Sequence, residues 1–209
     1  MQKGNEMKHR DAIIFDIGEV LLNTGVRHLY QKIFLNETEM EHFLTTVLTG
    51  TARSGWGLSA DVGGEVEKLA LLHPKYSEEI RAYFLRFEET VNGTVLGMAD
   101  LIKDIDQSVP LYALSNWGGD TFEKVRHLLP MRERFADVLI SGTVGLKKPD
   151  PRFFALALSR FNVTPSRTIF IDDKIANVEE ARRQGFTGIE CTDANTLRDS
   201  LQKYNILNT

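Results

Sequence analysis

The sequence predicts an α/β protein: a parallel sheet covered by helices and interrupted after its first strand by a helical insertion. Three observations carry that expectation. Ala12–Phe15 is an apolar run without a polar break, which is how a parallel strand buried on both faces reads. From Val95 onward, short apolar strands alternate with helical periodicity, the pattern of βαβ units joined by right-handed crossovers. Between about residues 25 and 90, strand-like runs vanish and the spacing is helical.

Each element follows from local chemistry. The first strand ends on a carboxylate, Asp16, with Gly18 close behind, so the chain turns there. In the insertion, Met40, Phe43, Leu44, Val47 and Leu48 recur at three- and four-residue spacing and mark one amphipathic helix. Ile80, Tyr83, Phe84, Phe87 and Val91 mark another. Ser77 is the expected N-cap of the second, with Glu78 and Glu79 at the positive end of its dipole. A weaker helix is expected between Gly63-Gly64 and His73-Pro74, and the stretch TARSGWGLSADVGG reads as loop. Beyond Val95, a helix with Leu101, Ile102 and Ile105 leads to a strand at 111–114, and one with Phe122 and Val125 leads to a strand at 138–140. Asp150-Pro151 opens a helix with an N-cap and a proline at its first position, burying Phe154, Leu158 and Phe161. A strand at 168–171 runs into Asp172-Asp173. The following helix is expected to bury Ile175, Val178 and Ala181 and to stop at Gly185; a strand at 187–191 and a helix at 196–204 complete the chain. The expected division is a sheet domain of residues 1–24 and 91–209 and a helical lobe of residues 25–90 over the carboxyl edge of the sheet.

The chain's 209 residues, 42% of them hydrophobic, suffice for one sizeable core with a smaller lobe. A formal net charge of -4, without lysine- or arginine-rich runs, gives no field for nucleic acid or an anionic membrane. The start, MQKGNEMKHR, is basic, but the apolar run behind it is too short for a signal peptide and no span approaches bilayer length, so a cytoplasmic protein is expected. The single cysteine, Cys191, has no thiol partner for a disulfide or a metal and reads as a small core residue.

Polar residues stand at or just beyond four strand ends: Asp16, Ser115, Lys148 in GLKKPDP, and the pair Asp172-Asp173. Strand ends of one parallel sheet converge in space, so these residues meet in one crevice. Their chemistry is coherent. Carboxylates with water and a backbone carbonyl make a Mg²⁺ site, lysine supplies a point charge, and a serine hydroxyl donates to an anionic oxygen. Around one nucleophilic carboxylate, that set is what phosphoryl transfer through an aspartyl-phosphate requires. Singly, each has a structural role open to it: a turn or helix cap for Asp16, Ser115 and the acidic pair, a solvated loop residue for Lys148. Four such coincidences at four strand ends are a poorer account than one site.

At these positions the chain resembles the haloacid dehalogenase superfamily, in particular members with a small helical cap inserted after the first motif. FDIGEVLL matches the first motif, YALSN the second, GLKKPDP the lysine motif and FIDDKIANVEEARRQGF the fourth. The resemblance implies a Rossmann-like core, a mobile cap, Mg²⁺ as cofactor and phosphatase activity on a small phosphorylated metabolite. Carried over by position, it implies Asp16 as nucleophile and metal ligand and the Gly18 carbonyl as a second ligand. Asp173 would be a direct ligand and Asp172 one through water. Ser115 and the Asn116 amide would hold the phosphoryl oxygens, and Lys148 would neutralise Asp16 and substrate, with Lys147 solvated.

One position departs from the pattern. Most phosphatases of this superfamily carry a second Asp two residues after the nucleophile as general acid and base, and here that residue is Gly18. A positioned acid contributes roughly a hundredfold to ten-thousandfold, so the rate is expected to depend steeply on leaving-group acidity. Phosphatases acting on glucose 1-phosphate that resemble this chain also carry glycine there. Glu19, one step further along, reads as solvated or structural. Trp117 and Trp56 are candidates for the pocket wall, whereas Arg27 and His28 read as solvated surface and His42, His73 and His127 carry no role.

Three other functions compete. A 2-haloacid dehalogenase uses the same Asp nucleophile without metal, but has little use for the acids Asp172-Asp173. A phospho-accepting receiver domain uses similar groups but places its acidic pair at the first strand and lacks the insertion. A catalytically silent phosphate-binding protein is suggested by Gly18 alone.

Overall fold

The computed structural model describes residues 12–208; the basic start and Asp11 lie outside them. Along the chain run β1 (Ala12–Phe15), β2 (Leu22–Thr24), α1 (Val26–Tyr30), α2 (Glu37–Thr46), α3 (Gly50–Trp56), α4 (Val62–Leu72), α5 (Ser77–Leu85), β3 (Val91–Thr94) and α6 (Met98–Asp104). Then follow β4 (Leu111–Ser115), α7 (Gly119–Val125), β5 (Phe135–Ile140), α8 (Ser141–Val144), α9 (Pro151–Phe161), β6 (Thr168–Asp172), α10 (Ile175–Arg183), β7 (Thr187–Glu190) and α11 (Ala194–Gln202).

A five-stranded sheet in the order β5-β4-β1-β6-β7 is parallel throughout. β1 lies at its centre, with Phe15 beside Ala113 of β4 and Ile171 of β6. Central placement explains the unbroken apolar run, because both faces of β1 are covered. Ile13 and Phe15 join Leu101, Ile102, Leu197 and Leu201 on one face, while Ile14 joins Phe153, Phe154 and Phe170 on the other. The chain builds outward from β1 through β4 and β5, then crosses to β6 and β7. The reversal opens a crevice at the carboxyl ends beside β1, where such sheets bind ligands. Asp150 caps α9 as expected, accepting from the Arg152 amide at 2.9 Å, with Pro151 at the first helical position.

Helices α1–α5 close around an apolar cluster of their own that includes Leu29, Tyr30, Phe43, Val66 and Ile80. The chain enters and leaves these helices through an antiparallel ribbon of β2 and β3, with Leu22 opposite Thr94. Neither strand was legible, since LNT and VNGT are short and carry no apolar alternation.

Several expectations need correction. TARSGWGLSADVGG holds α3 and the start of α4. Thr49 caps α3 by accepting from the Ala52 amide at 3.2 Å, and burial of Trp56 outweighs two poor helix formers, Gly50 and Gly55. Gly63 and Gly64 lie inside α4, whose cap is Asp61. Ser77 is not a cap, because a 3-10 turn at Pro74–Tyr76 runs directly into α5 and leaves no open first turn. α5 stops at Leu85; Phe87 lies in a second 3-10 turn and Val91 begins β3. Ile175 is exposed at the start of α10 rather than buried. No helix among the described residues is long and apolar enough to cross a membrane.

Candidate active site

β1, β4 and β6 end side by side, and the last residue of each apolar run is followed by a polar group. Asp16 lies just past β1, while Ser115 closes β4 and Asp172 closes β6. All three are buried, as is Lys148 from the loop before α9. Oδ1 of Asp16 accepts from the Ile17 amide at 2.7 Å, from Ser115 Oγ at 2.7 Å and from Lys148 Nζ at 2.9 Å. Among the described residues, Oδ2 accepts no hydrogen bond. One carboxylate oxygen is therefore pinned by three donors and its twin carries none of them.

Lys148 completes its three donors with the Leu114 carbonyl at 2.6 Å and Asp172 Oδ2 at 2.7 Å. Burial alone would pull its ammonium down, but Asp16 and Asp172 outweigh that and hold it above the ordinary lysine value. With all three N–H bonds committed inside the protein, it acts on Asp16 as a fixed charge rather than as a spare donor. Asn116 supports it: the side-chain amide donates to the Lys148 carbonyl at 2.9 Å, and its oxygen accepts from the Lys148 amide at 2.8 Å. That side chain is thereby committed to the lysine loop, and only the Asn116 main chain remains for an anion. Lys147 is not simply solvated, since its Nζ reaches Ser54 Oγ of α3 at 3.2 Å.

Asp172 also accepts from the Lys174 amide at 2.9 Å and from Asn177 Nδ2 at 2.9 and 3.0 Å. Asn177 was missed in the sequence because a polar residue one turn into a helix looks like surface; here it is buried. Asp173 is different. Its Oδ1 is buried without a hydrogen-bond partner, and Lys174 Nζ stands off at 3.9 Å. Burial pushes Asp173 up to about 6, and burial also raises Asp172 against the pull of Lys148.

Asp16, Asp172 and Asp173 each offer an oxygen within 4.8 Å of the others. Three carboxylates against one buried ammonium leave excess negative charge, and one oxygen has no partner. An oxygen-rich, electron-hard site of that kind fits Mg²⁺.

Gly18 borders the same space. A Cβ built on it would meet only Thr24 Oγ1, at 3.5 Å, so packing does not demand glycine there. Glu19 is structural: it sits in the left-handed region at φ 60, and its Oε1 accepts from the Thr24 amide at 2.8 Å and hydroxyl at 2.6 Å, closing the turn between β1 and β2. Above this floor is a cavity of about 390 Å³, roofed by residues from the helical segment including Arg53, Trp56, Val62 and Tyr83. Both tryptophans line it, Trp117 from the core side. Arg27 pairs with Glu37 and Glu41, and His28 meets Asn23 Oδ1 at 3.2 Å.

The roof is seated on the core by close backbone contact. Ser141 Oγ bonds the Gly57 carbonyl and accepts from the Trp117 amide at 2.9 Å, the Gly119 amide donates to the Ser59 carbonyl at 2.9 Å, and the Gly63 amide donates to Asp120 Oδ2 at 3.0 Å. A Cβ on Gly142 would stand 2.5 Å from both Gly119 N and Ser59 O, so only glycine admits this approach.

The site is a Rossmann-like sheet with acids, a lysine and a serine gathered at its central strand ends. Comparison gives the class. A family model described as haloacid dehalogenase-like hydrolase matches residues 10–185. An N-acetylmuramic acid 6-phosphate phosphatase of Pseudomonas putida is 26% identical over 190 residues, covering 83% of this chain and 79% of that one. A sesquiterpene phosphatase of Aspergillus oryzae is 30% identical over 98 residues, which span 46% of this chain and half of the relative's length. Among solved structures, a haloacid dehalogenase family enzyme of Bacteroides thetaiotaomicron in a magnesium complex superposes with TM-score 0.66 at 16% identity, covering 90% of this chain and 95% of that one; at that identity the likeness concerns the fold. The chain belongs to the haloacid dehalogenase-like hydrolases.

Proposed function

We propose that this hydrolase is a Mg²⁺-dependent phosphatase acting on a small phosphorylated metabolite through an aspartyl-phosphate on Asp16. The observation that carries this reading is the asymmetry of Asp16, one oxygen held by three donors and the other without a partner, beside the orphaned oxygen of Asp173. Asp16, the Gly18 carbonyl and Asp173 would hold the cation directly and Asp172 through water; when bound, it supplies positive charge to the transferring phosphoryl group. One carboxylate oxygen of Asp16 attacks phosphorus, the phosphorus–oxygen bond to the leaving group breaks, and water then attacks phosphorus, giving its proton to solvent, to release phosphate and regenerate the carboxylate. The Asn116 main-chain amide holds a phosphoryl oxygen, and Ser115 Oγ holds another once its one proton turns from Asp16 Oδ1 to the substrate. Lys148, 2.9 Å from Asp16 Oδ1, offsets the negative charge that gathers there. Residues 25–90 act as a cap over a core of residues 1–24 and 91–209.

No side chain at position 18 protonates the leaving group, so it departs as the alkoxide or draws its proton from solvent. Turnover of a panel of phosphomonoesters with Mg²⁺ and with chelator, with Asp16→Asn as control, tests the proposal. The expected result is phosphate release that needs the cation, disappears in Asp16→Asn and favours acidic leaving groups. Equal turnover of aryl and alkyl phosphates would remove the leaving-group argument. Halide release from 2-chloropropionate in chelator, without phosphate release from any ester, would replace the phosphatase by a dehalogenase.

A further inference from the structure

The cavity over Asp16 has two unlike walls. On the core side stand groups of both signs, Asp16, Glu19 and Lys174. The helical side is apolar and aromatic, with Val26, Trp56, Val62, Tyr83 and Phe87, and carries one charged group, Arg53. The Tyr83 ring packs 4.9 Å from that of Trp56.

Arg53 is half-buried, and its Nε donates to the Leu48 carbonyl at a long 3.3 Å. Among the described residues it pairs with no carboxylate. Arg27, Arg81, Arg86 and Arg160, by contrast, each hold an acid at 3.0 Å or closer. Asp120, the acid nearest in effect to the Tyr83 phenol, accepts from the Gly63 amide and forms no pair with Arg53. Burial pushes that phenol up to about 12 against the pull of Arg53, so it remains a neutral donor beside the guanidinium. Half-buried at the cavity wall, with one long main-chain bond and no carboxylate among the described residues, the guanidinium has donors left that face a ligand. Its planar fork of donors matches a carboxylate or a phosphate, and a ligand anion would supply the missing partner.

We propose that Arg53 is a specificity determinant and that the substrate is a phosphomonoester carrying a second anionic group, a carboxylate or another phosphate, at the end remote from the ester being cleaved. The inference rests on the reading above only in placing the scissile phosphate at Asp16; the cation in the roof then selects what lies at the far end.

The test compares substrates matched in skeleton. 3-Phosphoglycerate is set against glycerol 3-phosphate, and glucose 1,6-bisphosphate against glucose 1-phosphate, so that the two pairs separate a carboxylate from a second phosphate. In at least one pair the anionic member is expected to have the higher kcat/KM by about tenfold or more, expressed in KM. The ratio should collapse towards one in Arg53→Met and be partly kept in Arg53→Lys. Equal or reversed preference in both pairs, or a preference that survives Arg53→Met, overturns the assignment while leaving the phosphatase reading intact. Binding to Asp16→Asn, followed by the fluorescence of Trp56 and Trp117, gives a readout independent of turnover. Tighter binding of the anionic member that is lost when Arg53→Met is added supports the role of Arg53 even if no ester is hydrolysed, in which case the phosphatase reading is what fails. No difference in binding between the members of either pair overturns it.

Discussion

The floor and the roof of the cavity are made of opposite materials. The floor is polar and buried, and its position comes from the backbone: Asp16, Ser115 and Asp172 stand where they do because β1, β4 and β6 end there. The roof is aromatic, with one cation, and depends on how helical side chains lean over the gap. Strand ends of a twisted parallel sheet leave little freedom, so they suit chemistry that needs fixed distances. Helices on a separate apolar cluster can change their inward residues without disturbing the sheet, so they suit selection among substrates.

The sharpest way to break this contrast is at Lys148. Removing its ammonium leaves Asp16 and Asp172 buried without a counter-charge, so Lys148→Met is expected to lower turnover by roughly a hundredfold to a thousandfold and to destabilise the protein by about 3–5 kcal/mol. Phosphate release and urea unfolding measure the two effects. A variant with native stability and near-native turnover would mean that the floor is not organised by this charge.

A smaller effect is expected at the seam. In Gly142→Ala the added methyl meets the backbone of Gly119 and Ser59, and neither can swing aside as a side chain would. Overpacking of that kind costs about 1–3 kcal/mol. The strain should appear as separation of roof from core, read as faster amide exchange at Gly119 and Gly63 with that of β1 and β6 unchanged. Uniform change across both regions would erase the distinction between them.

The smallest expected effect concerns pH. With its folded value near 6 against an ordinary 3.8, Asp173 binds a proton more tightly in the native state than in the unfolded chain. Its contribution to stability is therefore complete at low pH and lost as pH rises through 6. Without divalent cation the protein should lose about 1 kcal/mol between pH 5 and pH 7. On the proposed function Mg²⁺ takes the ionised carboxylate, so its addition should reverse that slope. Thermal unfolding at the two pH values, with and without the cation, measures it.

The same contrast explains what the sequence disclosed. The central strand and the acids at its edge were readable because four apolar residues in a row, cut off by a carboxylate and a turn, suit a doubly covered strand and little else. The Thr168–Asp172 run and the Asp150-Pro151 helix start were readable for similar reasons. The roof was not. Arg53 and Tyr83 acquire meaning from what faces them across a gap, and no spacing encodes that. α3 was hidden by its glycines, and β2 and β3 because a ribbon of three and four residues is too short to show alternation. Ile175 was misplaced because helical periodicity gives a face without saying whether the first turn is covered. Asn177 and Ser141 were invisible for a different reason: each is a buried polar group whose meaning lies in its bond, to Asp172 five residues back for Asn177 and to Gly57, far away in sequence, for Ser141.

The β2–β3 ribbon has a consequence for divergence. Leu22 and Thr94 pair just beyond the turn that carries Asp16, and the chain enters and leaves the stretch between Gly25 and Thr90 at that junction. Lengthening, trimming or exchanging the intervening helices as a cassette leaves the splice point untouched, so a change of helices need not recut the strand ends that carry Asp16, Ser115 and Asp172.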